Sequence, residues 1–493
     1  MIARTSSLPA KPAARAKLAA SALSAVAVLA GCAIGPDYQR PEGALPEQWK
    51  TAAPAAEANA LLKTDWWTLF RDPVLDRLVE SALVANQDLL AAVARMEAAE
   101  GAAREAGASY FPTIGAEGGA NRSRTSGETV TGKQTGSRLV DDRRAALTLS
   151  YEVDLWGRIR RSNEAARAQA LASRYGRDAL RLSLLGQLTN EYLSLRSYDA
   201  QLIAATQTLE ARRESLRIVE ARAQAGSASD LDLAQARSAL AASEAQVVQT
   251  RRLRALSENQ IGLLTGEPGL RIESGTLDTL PLPPVPPAGL PSALIDARPD
   301  VRQAEEALIA ANARIGVAKA AYFPTISLTG NYGSESAALA SLFTGSAGIW
   351  TAAISLAMPI FDAGRTGARV DQATAAQRES LASYRKTLQT AFREVADAIV
   401  NLDEYAKEES ALATQSASAK RALDLAQLRY DSGYVGYIEV LDAQRTFNAA
   451  QQQQIASRRN RLGASVDLFK ALGGGWQPED GAPAGPEGQS ISR

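Results

Sequence analysis

The 493 residues include no histidine and one cysteine, Cys32. Without histidine the chain lacks the commonest general base and the commonest metal ligand. A single thiol excludes an intrachain disulfide and a zinc-thiolate site. Aromatic residues make up only 5% of the chain, and Lys plus Arg equals Asp plus Glu at 54 each. Bulk charge therefore points to neither nucleic acid nor an anionic surface. "GLLTGEPGL" lacks the spacing of a phosphate loop and reads as a helix cap. The remaining acidic residues are scattered at solvent-face spacing along helical windows, so no catalytic constellation is expected.

The apolar run "LAASALSAVAVLA" is shorter than the roughly 20 residues a spanning helix needs. It follows Arg4, Lys11, Arg15 and Lys17 and ends at "LAGC", so residues 1–31 read as a secretory signal peptide. The small residues before Cys32 resemble a bacterial lipobox, which implies an acylated cysteine (N-palmitoyl, S-diacylglycerol) as the anchor. No other cofactor is expected. Removing residues 1–31 takes away four basic residues, leaving 50 against 54, a net charge of −4.

What the chain has in abundance is repetition. "YFPTI" occurs at 110–114 and again at 322–326, an offset of 212 that also relates Asp88 to Asp300. Gly157-Arg158 recurs as Gly364-Arg365, and Gly226 as Gly433, at an offset of 207. Apolar spacing predicts helices over 75–108, 158–225, 231–265, 292–321, 365–432 and 437–472. The proline in each YFP marks a helix end and a strand start. "ALTLSYEVDL" predicts a two-faced strand, with Leu147, Leu149, Tyr151, Val153 and Leu155 on the apolar side. Trp350 to Ile360 predicts its counterpart, and 121–143 predicts a loop. The chain is thus a tandem duplication of helix, two strands, long helix and helix. The expected domains are a signal peptide (1–31), an extended or equatorial segment (32–72), repeat 1 (73–280), a proline-rich linker (281–291), repeat 2 (292–476) and a tail (477–493).

Each long helix of 68 residues matches two shorter ones end to end and spans about 100 Å. Such lengths suit a tube wall or a rod rather than a globular core. Four strands cannot close a membrane barrel, for which eight is about the minimum, so several chains must pool their strands.

"RPDVRQAEEALIAANARIGVAKAAYFPTISL", "FDAGR" and "YDSGYVGYIEVLDAQR" resemble the outer-membrane efflux protein family, in its TolC-like lipoprotein branch. The resemblance covers about residues 36–475. It implies a mostly α fold with membrane β: a homotrimer with a 12-stranded β-barrel, four strands per chain, continued by a periplasmic α-helical barrel. The implied function is the exit duct of a tripartite efflux system, in the outer membrane. Its implied partners are a periplasmic adaptor and an inner-membrane pump of the RND class. The implied gate is an iris of helical hairpins, with Asp232 opposite Tyr430, and Glu439 and Asp442 ringing the narrowest aperture. Glu439 stands where the pattern has Asp, and Val435 stands where some members carry a gate arginine. The alternative class is a lipidated trimeric adhesin or a periplasm-spanning structural protein, which would lack the two amphipathic strand pairs.

Overall fold

The computed structural model describes residues 33–41, 63–124, 126–130, 133, 139–285 and 298–477. The signal peptide, Cys32, most of the proline-rich linker and the tail beyond Gln477 lie outside the described residues. Among the described residues the main elements run α1 (Pro73–Ala85), α2 (Gln87–Ala108), β1 (Thr113–Arg124), β2 (Leu139–Val153), α3 (Arg158–Gln224) and α4 (Asp230–Thr265), then α5 (Pro299–Ala320), β3 (Thr325–Ser336), β4 (Gly348–Ala357), α6 (Arg365–Asp431) and α7 (Tyr437–Ala471), the second series repeating the first with α5 in place of α1 and α2. Both long helices have 67 residues.

The single helix expected over 75–108 is two. Asn86, in extended backbone, ends α1, and its side-chain Oδ1 accepts the Leu89 N–H at 3.0 Å to cap α2. Its Nδ2 donates to the Leu264 carbonyl at 3.0 Å, so the same residue fastens the break to the end of α4. The Asn side chain here satisfies two backbone groups that an apolar residue would leave alone. At the start of α1, Asp72 accepts the Val74 N–H at 2.9 Å, with Pro73 in the first turn.

The chain divides into two compact units. The first holds the sheet, with residues 98–171 and 306–382 and the segment before Pro41. Its strands form one antiparallel sheet in the order β1-β2-β3-β4. Thr113 pairs with Ser150 and Thr325 with Ala357, which are the same pair displaced by 212 and 207 residues. The duplication therefore holds to the residue in the strand register. At each strand-to-helix joint a glycine sits at positive φ, Gly157 at 80° and Gly364 at 81°, a conformation that costs any residue with a Cβ. Asp154 caps α3 through the Ile159 and Arg160 N–H groups, and Asp362 caps α6 through Thr366. Trp156 stacks on Phe323 at 4.9 Å and donates to the Pro324 carbonyl at 2.7 Å, so the second YFP is clamped by the first joint.

The second unit holds the helical hairpins, with a core of Phe70, Leu75, Leu188, Leu193, Ile261 and Leu277 around Trp66, which stacks on Phe469 at 5.6 Å. Within it lies a buried ionic lattice that solvent-face spacing had hidden. Asp199, with no side-chain exposure, accepts from Arg196 at 3.0 Å, Arg254 at 2.7 Å and the Gly275 N–H at 2.9 Å. Glu258 accepts the Ile272 N–H at 2.6 Å. These acids are not solvated helix decoration. They hold the irregular segment 267–285 against α3 and α4, where a loop's backbone groups otherwise lack partners.

Two functional surfaces: the sheet face and the hairpin tips

Directly paired residues of an antiparallel sheet share a face. Register therefore puts Ile114, Leu149, Leu147, Tyr151, Val153, Ile326, Leu328, Tyr332, Trp350, Ile354 and Leu356 on one side. Thr148, Ser150, Glu152, Ser327, Thr329, Asn331, Thr351 and Ser355 lie on the other. The apolar side is bare: Tyr332, Trp350 and Ile354 are each about three-quarters exposed, at 73%, 75% and 76%. Such a continuous apolar face, with no layer packed on it, suits hydrocarbon rather than water. Among the described residues no helix is long and apolar enough to cross a membrane.

The predicted strand ends need correction. Leu155 lies beyond β2, in the turn before α3, and β1 and β2 extend into the expected loop, to Arg124 and from Leu139. Arg122 pairs with Asp141 across the two strands at 3.5 Å, so polar composition there is a cross-strand ion pair and not a loop signal. β4 stops at Ala357, although Met358 and Ile360 continue the alternation. The reason lies in the pairing. Their equivalents, Tyr151 and Val153, are strand because β3 pairs with them, whereas the outer edge of β4 has no neighbour among the described residues. Ile360 and Phe361 are left 98% and 89% exposed.

At the other end of the sequence pattern, both long helices close with the same hydrogen-bonded turn. Gly226 at φ 73° and Gly433 at φ 78° occupy the left-handed position. Ser227 N–H donates to Arg222 O at 2.8 Å and Tyr434 N–H to Arg429 O at 2.9 Å, the six-residue closure of a Schellman turn. Both tips pack together around Val219, Ala236, Tyr437 and Val440, with Tyr430 alongside.

The four gate candidates all lie at these tips, with partners that sequence matching did not supply. Asp232 forms a capping box with Ser229, accepting from the Ser229 hydroxyl at 2.8 Å. Tyr430 lies beneath the Arg222 guanidinium, 4.6 Å from its ring centroid, and against Tyr437 at 5.5 Å. Among the described residues no hydrogen bond joins Tyr430 to Asp232 within one chain. Glu439 and Asp442, one turn apart on α7, border the same groove as Arg429. Each carboxylate has its own arginine, Arg429 at 3.9 Å from Glu439 and Arg445 at 2.6 Å from Asp442. Sequence reasoning missed Arg222 because nothing in its spacing separates it from the other arginines of α3.

An antiparallel sheet with one bare apolar face, joined to hairpins of 67-residue helices, defines a subunit of a membrane channel. The sequence profile of the family described as "Outer membrane efflux protein" matches residues 78–267 and 290–474. The toluene efflux pump outer membrane protein TtgI of Pseudomonas putida is 37% identical over 463 residues, covering 92% of this chain and 97% of TtgI. The CmeC outer membrane channel of Campylobacter jejuni superposes with a TM-score of 0.85 at 27% identity, covering 91% and 96% of the two chains. The open-state MtrE outer membrane channel of Neisseria gonorrhoeae gives 0.80 at 32% identity, covering 90% and 98%. The chain belongs to the outer membrane efflux protein family and is an outer-membrane efflux duct.

Proposed function

We propose that three copies of the chain pool their strands into a 12-stranded barrel, continued by an α-helical barrel in the periplasm. The duct passively conducts small molecules delivered by a periplasmic adaptor and an inner-membrane pump of the RND class, and performs no chemistry of its own. The hairpin tips form its iris, with Tyr430 and Asp232 holding the closed state and Glu439 and Asp442 lining the aperture. Cys32 carries the N-palmitoyl and S-diacylglycerol groups that anchor the mature N-terminus. Mass spectrometry of that N-terminus tests the anchor, and an unmodified residue 32 refutes it.

The observation that carries the assembly is the unfinished strand. In lipid the outer edges of β1 and β4 cannot remain unpaired. The internal repeat specifies how they meet, because the junction between repeats inside the chain, β2 on β3, has the junction between chains as its equivalent. Leu149 pairs with Gly330 inside the chain. Adding 207 and subtracting 212 gives Leu356 against Gly118 of the next copy. Likewise Val153 against Ile326 gives Ile360 against Ile114, which extends β4 over the residues now left bare. An adhesin or rod has no use for that edge.

A Leu356→Cys, Gly118→Cys double variant, in a Cys32→Ser background, should give covalent trimers on a non-reducing gel. Leu356→Cys with Ala120→Cys, two residues out of register, should give few. Monomer from both pairs, or equal cross-linking by both, contradicts the proposed closure.

A further inference from the structure

Near the tips, α3, α4 and α7 line an open cavity of about 530 Å³, within the range of small-molecule sites. Its charged lining is of one sign: Arg212 and Arg445 border it and no Asp or Glu does, among the described residues. Arg445 is already engaged by Asp442 at 2.6 Å. Arg212 is not so engaged. It is 7% exposed, its Nη1 has no hydrogen-bond partner, and among the described residues no carboxylate pairs with it. Burial pushes its guanidinium below the ordinary arginine value, with the nearby Tyr437 hydroxyl pulling the other way.

A buried guanidinium is always charged, and an unpaired buried charge is among the costliest groups a protein can keep. A second orphan faces the same space. Gln235 Oε1, an acceptor, is buried without a donor. Ala239, Ala242 and Leu441 complete the wall with apolar surface. The cavity thus offers a cation, an acceptor and a greasy side, a set that neither water nor a bare inorganic ion matches in full.

We infer that this cavity binds an amphipathic organic anion, a carboxylate or sulfonate on an apolar ring that also carries a hydroxyl or amide donor. The anionic group pairs with Arg212, the donor meets Gln235 Oε1, and the ring lies on the alanine wall. Because α3 and α4 belong to the first repeat and α7 to the second, the ligand bridges the two hairpins of one chain. The inference goes beyond the duct reading, and binding can be measured without any conductance.

The test is calorimetric titration of the trimer in nanodiscs of neutral lipid, with empty nanodiscs as control. The probe is 6-hydroxynaphthalene-2-sulfonate. Wild type should bind it, and Arg212→Gln should weaken binding about 10- to 100-fold, the range for losing a charge-assisted hydrogen bond. Arg212→Lys should keep part of the affinity. Gln235→Leu should abolish the advantage of this probe over naphthalene-2-sulfonate. Three results would each overturn the assignment: no binding by wild type at millimolar probe, equal binding by Arg212→Gln while the trimer stays intact, or equal affinity for inorganic sulfate.

Discussion

The Arg222 guanidinium covers the face of the Tyr430 ring at 4.6 Å, joining the last turn of α3 to the last turn of α6. Both residues sit just before the glycine that ends their helix, so the contact ties the two hairpin tips of one chain. Exposed cation–π pairs contribute about 0.5–1 kcal/mol, and three symmetry copies about three times that. Arg222→Ala should therefore raise the open probability in single-channel recordings and admit vancomycin to cells. Tyr430→Ala should match it. Tyr430→Phe keeps the ring, so an effect of Phe as large as that of Ala would transfer the tie to the hydroxyl and hence toward Asp232.

If Glu439 and Asp442 line the aperture as proposed, their paired arginines alter what it does. With Arg445 at 2.6 Å from Asp442 and Arg429 at 3.9 Å from Glu439, much of the carboxylate field is offset locally. Exposed pairs of this kind add little to stability, but they set the charge a passing ion meets. Glu439→Ala with Asp442→Ala should lower cation preference in reversal-potential measurements, while Arg445→Gln should raise it. Equal reversal potentials in all three proteins would place the constriction elsewhere.

On the sheet, Leu149 lies on the apolar face proposed to meet lipid, where an arginine near the bilayer midplane costs about 2–4 kcal/mol. Leu149→Arg should shift urea unfolding from vesicles to lower denaturant by that amount. Ser150→Arg, on the opposite face, should shift it far less. Equal shifts would mean that the faces are assigned the wrong way round.

The periodic parts of this fold were legible and the single-residue parts were not. Duplicated YFPTI and Gly-Arg phrases, with apolar spacing between them, located both long helices to within a residue of Arg158–Gln224 and Arg365–Asp431. The break at Asn86 was invisible because its cause is one side chain reaching the Leu264 carbonyl, 178 residues away. Arg122 and Asp141 read as loop because an ion pair across strands has no signature in either strand alone. The β4 end at Ala357 was overshot for a different reason. The alternation to Ile360 describes the strand with a neighbour, and one chain does not contain that neighbour. At the tips, glycine spacing located the turns, whereas Arg222 over Tyr430 is a contact between repeats.

Asp199, whose side chain is wholly buried, is the most enclosed acid of the lattice. Removing one partner of a buried ion pair costs about 3–5 kcal/mol, because the other charges stay behind. Asp199→Ala strands Arg196 and Arg254 and should lower the thermal midpoint of the trimer by many degrees. Glu210→Ala, which breaks an exposed i,i+3 pair with Arg213 at 2.8 Å, should leave it unchanged. Equal midpoints for the two variants would show that the lattice is incidental.

The central claim, that this chain builds a gated duct, is met most directly by reconstituting the purified trimer into planar bilayers and recording single channels. Wild type should show small, mostly closed events, and Arg222→Ala with Tyr430→Ala should show stable openings of several-fold higher conductance. Membrane-inserted trimers that pass no current in either form would contradict the account.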